Sequence, residues 1–484
     1  MNLPRVRFVS YVMLFLSIAT LIWMSVRLDF NSAYLDESNY IFAGQELIDG
    51  KNWDIYSYMF SSSLPIYLLG YGAKFNGLLG ARFVSACLGL LSLCFYFDAV
   101  RRVFNKNVAV FATLLLATST SHAFISKFAV YDVLCVCNFI IGAWALTIAN
   151  QQQNYQKHIW TLISSIFFTI ALLSKYIVIM ALIPIAICLL IYRRDLVIAA
   201  AIPALAILSF YLYQHLDDLK NLYQQQVVNA HKANTPTTEL FHIAYEYTWP
   251  LLILFIVSLV NYYQQPHDRS DKTGIIYEWS LFLASTMTIY HVFSDDSISM
   301  YKHMVYSIIF LAPVCALYLN HLFQKPSLLA HSSLSIMLGV WLYQNSQQLL
   351  AMENAYPDSR QAMTVLSKYI QKNDTILAED PYLIRNELKG IVNPYAVSEA
   401  AWYDNDGDGV YSSKDVVDGV WDGKFTFLYL DGRITPVTTE KLRKYIVQHH
   451  YQLIYHKDYT TSKVMFYKDT GSIEIYRRKP ITSQ

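Results

Sequence analysis

The sequence predicts a polytopic α-helical membrane protein of about eleven spans, followed by a small exterior α/β domain. Of its 484 residues 54% are hydrophobic and only 15% are charged, whereas a soluble globular chain carries about 25% charged residues. Long apolar runs recur from the N-terminus to about Gln344, and runs of this length cross a bilayer as helices. Beyond Gln344 the composition is typical of a soluble domain.

The predicted spans are apolar runs separated by short polar turns. They cover Phe8–Val26, Leu79–Val100, Val108–Ile125, Val133–Ala149, Ile159–Leu173, Tyr176–Tyr192, Leu196–Tyr213, Trp249–Tyr263, Ile276–Phe293, Met304–Phe323 and Leu328–Tyr343. A short basic stretch precedes the first run and no small-residue cleavage site follows it. This pattern predicts an uncleaved first helix rather than a removable signal peptide.

Basic residues lie in alternate loops between the predicted spans. They are Arg5, Arg7, Arg101, Arg102, Lys106, Lys157, Arg193, Arg194, Arg269, Lys272 and Lys325. The positive-inside rule assigns that side to the cytoplasm, so an odd number of spans places the C-terminal domain outside. The length of the chain and the lack of a retention signal favour a bacterial inner membrane, with the domain in the periplasm.

Two domains are therefore expected. Residues 1–345 form the membrane domain, with an exterior first loop over 27–78 in which Tyr40–Ile48 is predicted to be an interfacial amphipathic helix. Residues 346–484 form the exterior domain, in which strands and helices alternate. Its predicted strands are 375–378, 425–430, 451–455, 464–467 and 473–476, and its predicted helices are 381–388 and 439–449.

Composition and missing motifs exclude several classes of function. The formal net charge of +1 argues against a nucleic-acid partner. All six cysteines lie in apolar runs, which argues against a disulfide framework or a thiolate metal site. There is no glycine-rich phosphate loop, so a group donor is expected to be a lipid phosphate rather than a soluble nucleotide.

Charged residues on the exterior side supply what transfer from a lipid phosphate requires. A carboxylate must take the proton of an acceptor hydroxyl, and cations must stabilise the phosphate that leaves. Carboxylates beside a bilayer are costly unless they have a function. The catalytic candidates are Asp36, Glu37 and Asp132, and the candidates for contacting the donor phosphate are Lys127, Lys175, Lys302 and His303.

Several short motifs carry a resemblance to a known family. The Asp36–Glu37 pair, the stretch from Leu64-Pro65-Ile66-Tyr67 to Ala81-Arg82, Tyr131-Asp132, and Lys302-His303 with Pro313 resemble the GT-C membrane glycosyltransferases. The similar branch is that of the protein O-mannosyltransferases and aminoarabinose transferases. The resemblance covers the whole chain in layout, including the exterior domain.

The resemblance implies an inverting transfer of a sugar from a polyprenyl-phosphate-linked donor to an exterior glycan, lipid or protein. Asp36 takes the place of the family's catalytic acidic residue, and Glu37 shapes the site. Lys302 and His303 match the basic segment that meets the donor phosphate. One departure is Ser61-Ser62-Ser63-Leu64-Pro65, where the family often has a charged residue before a pair of prolines. The sugar, the acceptor and any catalytic divalent metal stay open.

A second signal lies in the exterior domain. The run from Asp404 to Asp415 matches the twelve-position calcium loop of EF-hands, with acids at positions one, three and five. The predicted ligands of a structural calcium ion are Asp404, Asp406, Asp408, the carbonyl of Val410, and Asp415. Position twelve is Asp rather than Glu, so two-oxygen binding there requires a tighter loop.

Two other functions remain open. A transporter or flippase of a lipid-linked sugar is disfavoured because the chain shows no internal repeat and its acids lie near one face. A non-catalytic membrane scaffold that displays a calcium-stiffened domain predicts that the first-loop acids are dispensable. Assays of bond cleavage and of lipid movement in vesicles distinguish these functions.

Overall fold

Helices form most of the chain in the computed structural model, which describes residues 27–51, 62–224, 234–264, 273–409, 411–445, 450–462 and 470–480. The chain divides into two compact units. The first unit contains Met1–Leu28 and Ala43–Leu349, and the second contains Asp29–Phe42 and Leu350–Gln484. The division expected from the sequence lies at residues 345 and 346, but Asp29–Phe42, within the predicted first loop, clusters with the C-terminal residues.

The described elements of the first unit are all helical. They are α1 (Leu35–Ile48, which begins in the second unit), α2 (Leu64–Val103), α3 (Lys106–Ala117), α4 (Thr120–Lys127), α5 (Asp132–Gln151), α6 (Asn154–Ser174), a 3₁₀ turn (Tyr176–Val178), α7 (Ile179–Tyr192), α8 (Arg194–Gln214), α9 (Leu216–Tyr223), α10 (Thr237–Tyr263), α11 (Thr273–Ser294), α12 (Met300–Gln324) and α13 (Leu328–Glu353, which ends in the second unit).

Six of the described helices are long and apolar enough to cross a membrane, so the chain is a multi-pass membrane protein. They are α2, α5, α6, α8, α10 and α12, and the pair α3 and α4, bent by 65°, makes a seventh. The expected number of eleven is not confirmed. The predicted span Phe8–Val26 lies outside the described residues, Tyr176–Tyr192 is shorter than a full span, and α11 and α13 do not meet the same test of length and apolarity.

Helix α2 contains a break at Asn76 and Gly77, whose backbone angles are not helical. Gly77 has φ +52°, a left-handed conformation that glycine adopts without steric cost. The expected second span begins at Leu79, just after this break. Part of the predicted exterior loop is therefore a helix of its own, from Leu64 to the break.

Polar side chains join the helices of the first unit. Trp341 Nε1 donates to Thr118 Oγ1 at 2.9 Å, and the backbone N–H of Thr120 donates to Asn345 Oδ1 at 2.7 Å. Both bonds fix α13 against the bend between α3 and α4, where the helical ladder is interrupted. Hydrogen bonds between polar side chains commonly stabilise the packing of membrane helices. Here they stabilise the bend that leads to Lys127.

The second unit contains a five-stranded mixed sheet in the order β2-β1-β3-β5-β4. Its elements are α14 (Arg360–Tyr369), β1 (Ile376–Ala378), α15 (Pro381–Glu387), β2 (Val397–Glu399), α16 (Ser413–Trp421), β3 (Phe427–Leu430), α17 (Pro436–Tyr445), β4 (Tyr451–Thr460) and β5 (Thr470–Arg478), with 3₁₀ turns at Pro394–Ala396 and Ala400–Trp402. Strand β1 is parallel to β2 and β3, whereas β5 is antiparallel to β3 and β4.

The predicted fold class, a polytopic helical membrane protein with a small C-terminal strand-containing domain, is confirmed. Leu377, Val420, Leu428, Leu442 and Tyr451 belong to the core beside the sheet. Strand β2 and helices α14 and α16 were not predicted; β2 is three residues long and carries no alternating pattern that would reveal it. The predicted strand 464–467 lies outside the described residues.

Candidate active site

A buried ion pair joins two of the predicted site residues in the first unit. Asp132 begins α5, and Lys175 follows the last residue of α6. Each charge therefore lies at the helix end whose dipole stabilises it. Lys175 Nζ donates to Asp132 Oδ1 at 2.5 Å, and both side chains are buried. Asp132 Oδ2 is also buried and has no hydrogen-bond partner among the described residues.

Two further cations flank a pair of stacked phenylalanines. Phe124 and Phe128 stack with their ring centroids 4.1 Å apart. Lys302 Nζ lies 5.9 Å from the centroid of Phe124, and Arg82 Cζ lies 5.8 Å from that of Phe128. Lys127 lies between the two phenylalanines in sequence and is buried at the end of α4. The aromatic faces thus stabilise cations removed from water.

A chain of hydrogen bonds fixes the proton positions of two histidines. His291 Nδ1 lies 2.5 Å from the carbonyl oxygen of Asp296, which can only accept, so Nδ1 carries the proton. In its neutral form His291 therefore accepts at Nε2 from His303 Nδ1, 2.9 Å away. His303 Nε2 then bears a lone pair. It is buried and has no hydrogen-bond partner within the described part of the chain.

These groups act on one another electrostatically. Lys175 and Lys302 both lie close enough to Asp132 to stabilise its charge, and both influence His303. The first unit thus brings together four predicted residues from three separate segments, with Lys127 on the helix that carries Phe124. Neutral His303 offers a hydrogen-bond acceptor at Nε2, so it can donate to a phosphate there only after gaining a proton.

Arg82 and His291 were not among the predicted site residues. Arg82 is fully buried and donates to the carbonyl of Leu28 at 2.7 Å. An ionisable residue inside an apolar run is itself a sign of function in a membrane protein, and this signal could have identified Arg82. His291 gave no comparable signal, because its role depends on the position of His303 in another helix.

The two first-loop acids belong to the second unit and differ from each other. Glu37 is fully buried, and its Oε2 accepts from the backbone N–H of Tyr34 at 2.9 Å. Tyr34 immediately precedes α1 and Glu37 is the third residue of that helix, so this bond is one half of a capping box. Asp36 is only partly buried. Glu37 therefore stabilises the helix start, and Asp36 is the more accessible carboxylate.

Further charged residues gather at the carboxyl edge of the parallel strands. Glu379 and Asp380 follow β1, and Asp431 and Arg433 follow β3. The chain leaves β1 for β2 on one side and returns to β3 on the other, and such a switch point brings loop ends together. Arg433 Nη2 donates to Asp431 Oδ2 at 2.7 Å and lies 4.0 Å from Asp380 Oδ2.

The predicted calcium loop has a compact acidic turn. Oxygen atoms of Asp404, Asp406 and Asp408 lie within 4.8 Å of one another. Asp404 accepts backbone hydrogen bonds from Gly407 at 2.6 Å and from Gly409 at 2.9 Å. These bonds from Gly409 and Gly407 lower the pKa of Asp404. Asp415 lies in the first turn of α16, in contact with Ser412, and Val410 lies outside the described residues.

The sequence model of the "Dolichyl-phosphate-mannose-protein mannosyltransferase" family matches residues 64–213. No curated protein matches the chain by sequence.

Solved structures with a similar fold cover almost the whole chain. ArnT from Cupriavidus metallidurans, bound to undecaprenyl phosphate, matches with a TM-score of 0.63 and 11% identity over 96% of this chain and 97% of ArnT. The oligosaccharyltransferase AglB from Archaeoglobus fulgidus, in complex with an inhibitory peptide and a dolichol-phosphate, matches with a TM-score of 0.58 and 11% identity over 95% and 74% of the respective chains.

The resemblance inferred from the sequence is confirmed at the level of the fold: the chain has the fold of the solved structures of ArnT and of the oligosaccharyltransferase AglB.

Proposed function

We propose that this protein transfers a sugar from a polyprenyl-phosphate-linked donor to a hydroxyl group of an exterior glycan, lipid or protein. The observation that supports this most directly is the group of buried lysines in the first unit. Lys127, Lys175 and Lys302 are all buried, and cations in a water-poor site stabilise the charge that develops on a leaving phosphate. The three lysines therefore supply the kind of positive charge that transfer from a lipid phosphate requires.

In the proposed reaction, the oxygen of the acceptor hydroxyl attacks the anomeric carbon of the donor. The bond between that carbon and the phosphate oxygen breaks, and its electron pair stays on the phosphate. Asp36 takes the acceptor proton, while Lys302 and Lys127 stabilise the charge on the leaving phosphate. Attack opposite the leaving group inverts the anomeric centre. Glu37 acts by holding the start of α1.

Two neighbours support the choice of donor. The ArnT structure holds undecaprenyl phosphate and the AglB structure holds a dolichol-phosphate. By analogy, the hydrocarbon tail of a polyprenyl donor would lie among the helices of the first unit. The proposed location is the bacterial inner membrane, with the second unit on the periplasmic side, where the acceptor would be met.

The decisive experiment uses purified full-length protein in nanodiscs with a panel of synthetic undecaprenyl-phosphate sugars: a hexose, a pentose and an aminopentose. Mass spectrometry would measure release of undecaprenyl phosphate and formation of glycosylated product. Release that depends on Asp36 and on Lys302 supports the proposal. Movement of intact donor across a vesicle bilayer without bond cleavage would support a transporter, and neither cleavage nor movement of any donor in the panel would support a scaffold.

We also propose that Asp404, Asp406 and Asp408 hold a calcium ion that stiffens the second unit. Their oxygens converge as the ligands at positions one, three and five of an EF-hand loop must do. Gly407 and Gly409 both have φ +80°, which suits the tight backbone of such a loop. Asp415 would complete the site from the start of α16, and the carbonyl of Val410 is its predicted fifth ligand.

Terbium luminescence tests the calcium proposal. Trp402 is exposed just before the loop and makes an edge contact with Tyr411 inside it, so both rings can sensitise a lanthanide bound there. We expect terbium to bind to the wild-type protein and calcium to displace it. Asp406→Asn should weaken terbium binding at least tenfold. Asp217→Asn removes an exposed carboxylate elsewhere and should leave binding unchanged. Equal terbium signals from all three proteins would refute the site.

A further inference from the structure

The segment that carries Asp36 is anchored by hydrogen bonds to residues more than 300 positions away in sequence. Asn31 Nδ2 donates to the carbonyls of Glu353 and Tyr356, each at 3.0 Å. Tyr356 Oη donates to the carbonyl of Ser32 at 3.1 Å, and the backbone N–H of Ser359 donates to Ser32 Oγ, also at 3.1 Å. All of these residues belong to the second unit. Four hydrogen bonds, two at Asn31 and two at Ser32, therefore hold the chain that leads into α1.

Two side chains at opposite ends of α15 contact the first turns of α1 at a single residue, Ser38. Ser38 Oγ shares its proton between the carbonyl of Leu35 at 2.9 Å and Asp380 Oδ1 at 3.4 Å, and Asn386 Nδ2 donates to the carbonyl of Ser38 at 2.5 Å. Asp380 Oδ1 also accepts from the backbone N–H of Leu383 at 3.1 Å, as the N-cap of α15. Ser38 is two residues from Asp36, so the seven-residue helix α15 fixes α1 beside the proposed base.

Aromatic packing continues the contact one turn further along α1. The rings of Phe42 and Tyr382 lie 6.0 Å apart between centroids. Arg385 Cζ lies 5.4 Å from the centroid of Phe42 and 4.9 Å from that of Tyr382. Phe42 is almost fully buried. Helix α1 therefore contacts α15 through polar groups at Ser38 and an apolar group at Phe42, which restricts rotation about its axis.

We propose that Asp380 and Asn386 are positioning residues that hold α1 through Ser38 and thereby orient the Asp36 carboxylate. The inference rests on the proposed role of Asp36 as base. A general base must lie within hydrogen-bond reach of the proton it takes, and a displacement of about 1 Å at a reacting group can cost about a hundredfold in rate. Asp380 and Asn386 thus contribute to catalysis without touching substrate.

The test pairs truncating variants with a conservative one in the full-length protein. Asn386→Ala and Asp380→Ala each remove one contact with Ser38, whereas Asp380→Asn retains an acceptor oxygen. Asn393→Ala is the matched control, because Asn393 is an exposed amide of the same unit that caps only the 3₁₀ turn at Pro394. Hydrogen–deuterium exchange of the peptide over residues 34–42 would report directly on the anchoring of α1.

The two alanine variants should exchange these amides roughly 2- to 10-fold faster, as expected for loss of one hydrogen bond. Asp380→Asn and Asn393→Ala should match the wild type. Where a member of the sugar panel turns over, the alanine variants should lower kcat and leave KM for the donor unchanged, and Asp380→Asn should restore kcat. A merely structural role would instead reduce the fraction of active protein equally for every substrate.

Each outcome separates the two proposals. Unchanged exchange in both alanine variants overturns the positioning role, whatever the activity. Faster exchange with unchanged kcat overturns its catalytic consequence. Full turnover by Asp36→Asn would instead remove Asp36 from the role of base, and the exchange data would still show whether Asp380 and Asn386 hold the helix.

Discussion

Lys175 Nζ donates to Asp132 Oδ1 at 2.5 Å inside the first unit, while the other carboxylate oxygen of Asp132 has no hydrogen-bond partner among the described residues. The buried carboxylate thus accepts from one ammonium group, Lys175, while Lys302 also stabilises its charge. The pair joins the start of α5 to the end of α6. Its contribution can be measured by removing one partner and then both.

Asp132→Asn should destabilise the first unit by about 3–5 kcal/mol, because it leaves the Lys175 charge buried without its partner. The double variant Asp132→Leu with Lys175→Met should recover most of this stability. Thermal unfolding in detergent would measure both. Asp195→Asn breaks a more exposed Lys–Asp pair, with Lys157, and should cost about 1 kcal/mol or less. A loss of stability in Asp132→Asn as small as that in Asp195→Asn would contradict a stabilising role of the buried pair.

Asp36→Asn should reduce turnover about 10²- to 10⁴-fold, because an amide cannot take the proton of the acceptor hydroxyl. Release of undecaprenyl phosphate from the sugar panel would measure it. Asp29→Asn is a suitable control, since Asp29 is an exposed carboxylate of the same segment, paired with Arg360. A comparable loss in both variants would point to a general effect of charge rather than to proton transfer.

His303→Phe should raise KM for the donor about 3- to 10-fold, because it removes the Nε2 that donates to the phosphate once protonated and leaves His291 Nε2 without its donor. Kinetics with the sugar panel would measure the change. His321→Phe makes the same substitution eighteen residues further along α12, about 27 Å away along the helix axis. An equal effect of both substitutions would show that His303 acts only through the packing of α12.

Glu379→Gln should destabilise the second unit by about 2–4 kcal/mol. The Glu379 carboxylate accepts backbone hydrogen bonds from Asp431 at 3.1 Å, Gly432 at 2.6 Å, Ile434 at 3.1 Å and Thr435 at 3.0 Å. An amide would direct N–H groups at backbone donors and leave some of them unpaired. Hydrogen exchange of β1 and β3 would report the loss, and protection equal to that of the wild type would contradict it.

The stability of the second unit should fall as the pH rises from about 4 to about 6. Burial raises the pKa of Asp380 from 3.8 to about 6, although nearby Arg433 opposes the shift. Between these values the unfolded chain releases the proton and the folded chain keeps it, so the unfolded state becomes more favourable relative to the folded state by up to about 3 kcal/mol. Asp380→Asn should remove this part of the pH dependence. Identical pH dependence of unfolding stability in the wild type and in Asp380→Asn would contradict the raised pKa of Asp380.

Local sequence properties predicted much of the architecture. Apolar runs identified the segments that contain α5, α6, α8 and α12, because bilayer thickness alone sets their minimum length. Alternating residues identified β5, and the spacing of Asp404, Asp406 and Asp408 indicated a turn in which their oxygens converge. The predicted number of eleven spans is not confirmed, because α11 and α13 are less apolar than the described helices that are apolar enough to cross a membrane.

The sequence by itself determined that this chain crosses a membrane repeatedly, that it carries an acidic pair at the start of a helix, and that lysines recur near the ends of predicted spans. These are properties of neighbouring residues. Only the tertiary structure decided that Glu37 caps α1, that His291 fixes the proton of His303, and that Asn386 reaches Ser38 across 348 residues of chain. Hydrogen bonds require donors and acceptors at defined distances and angles, and residues far apart in sequence meet those requirements only after the helices and strands have packed.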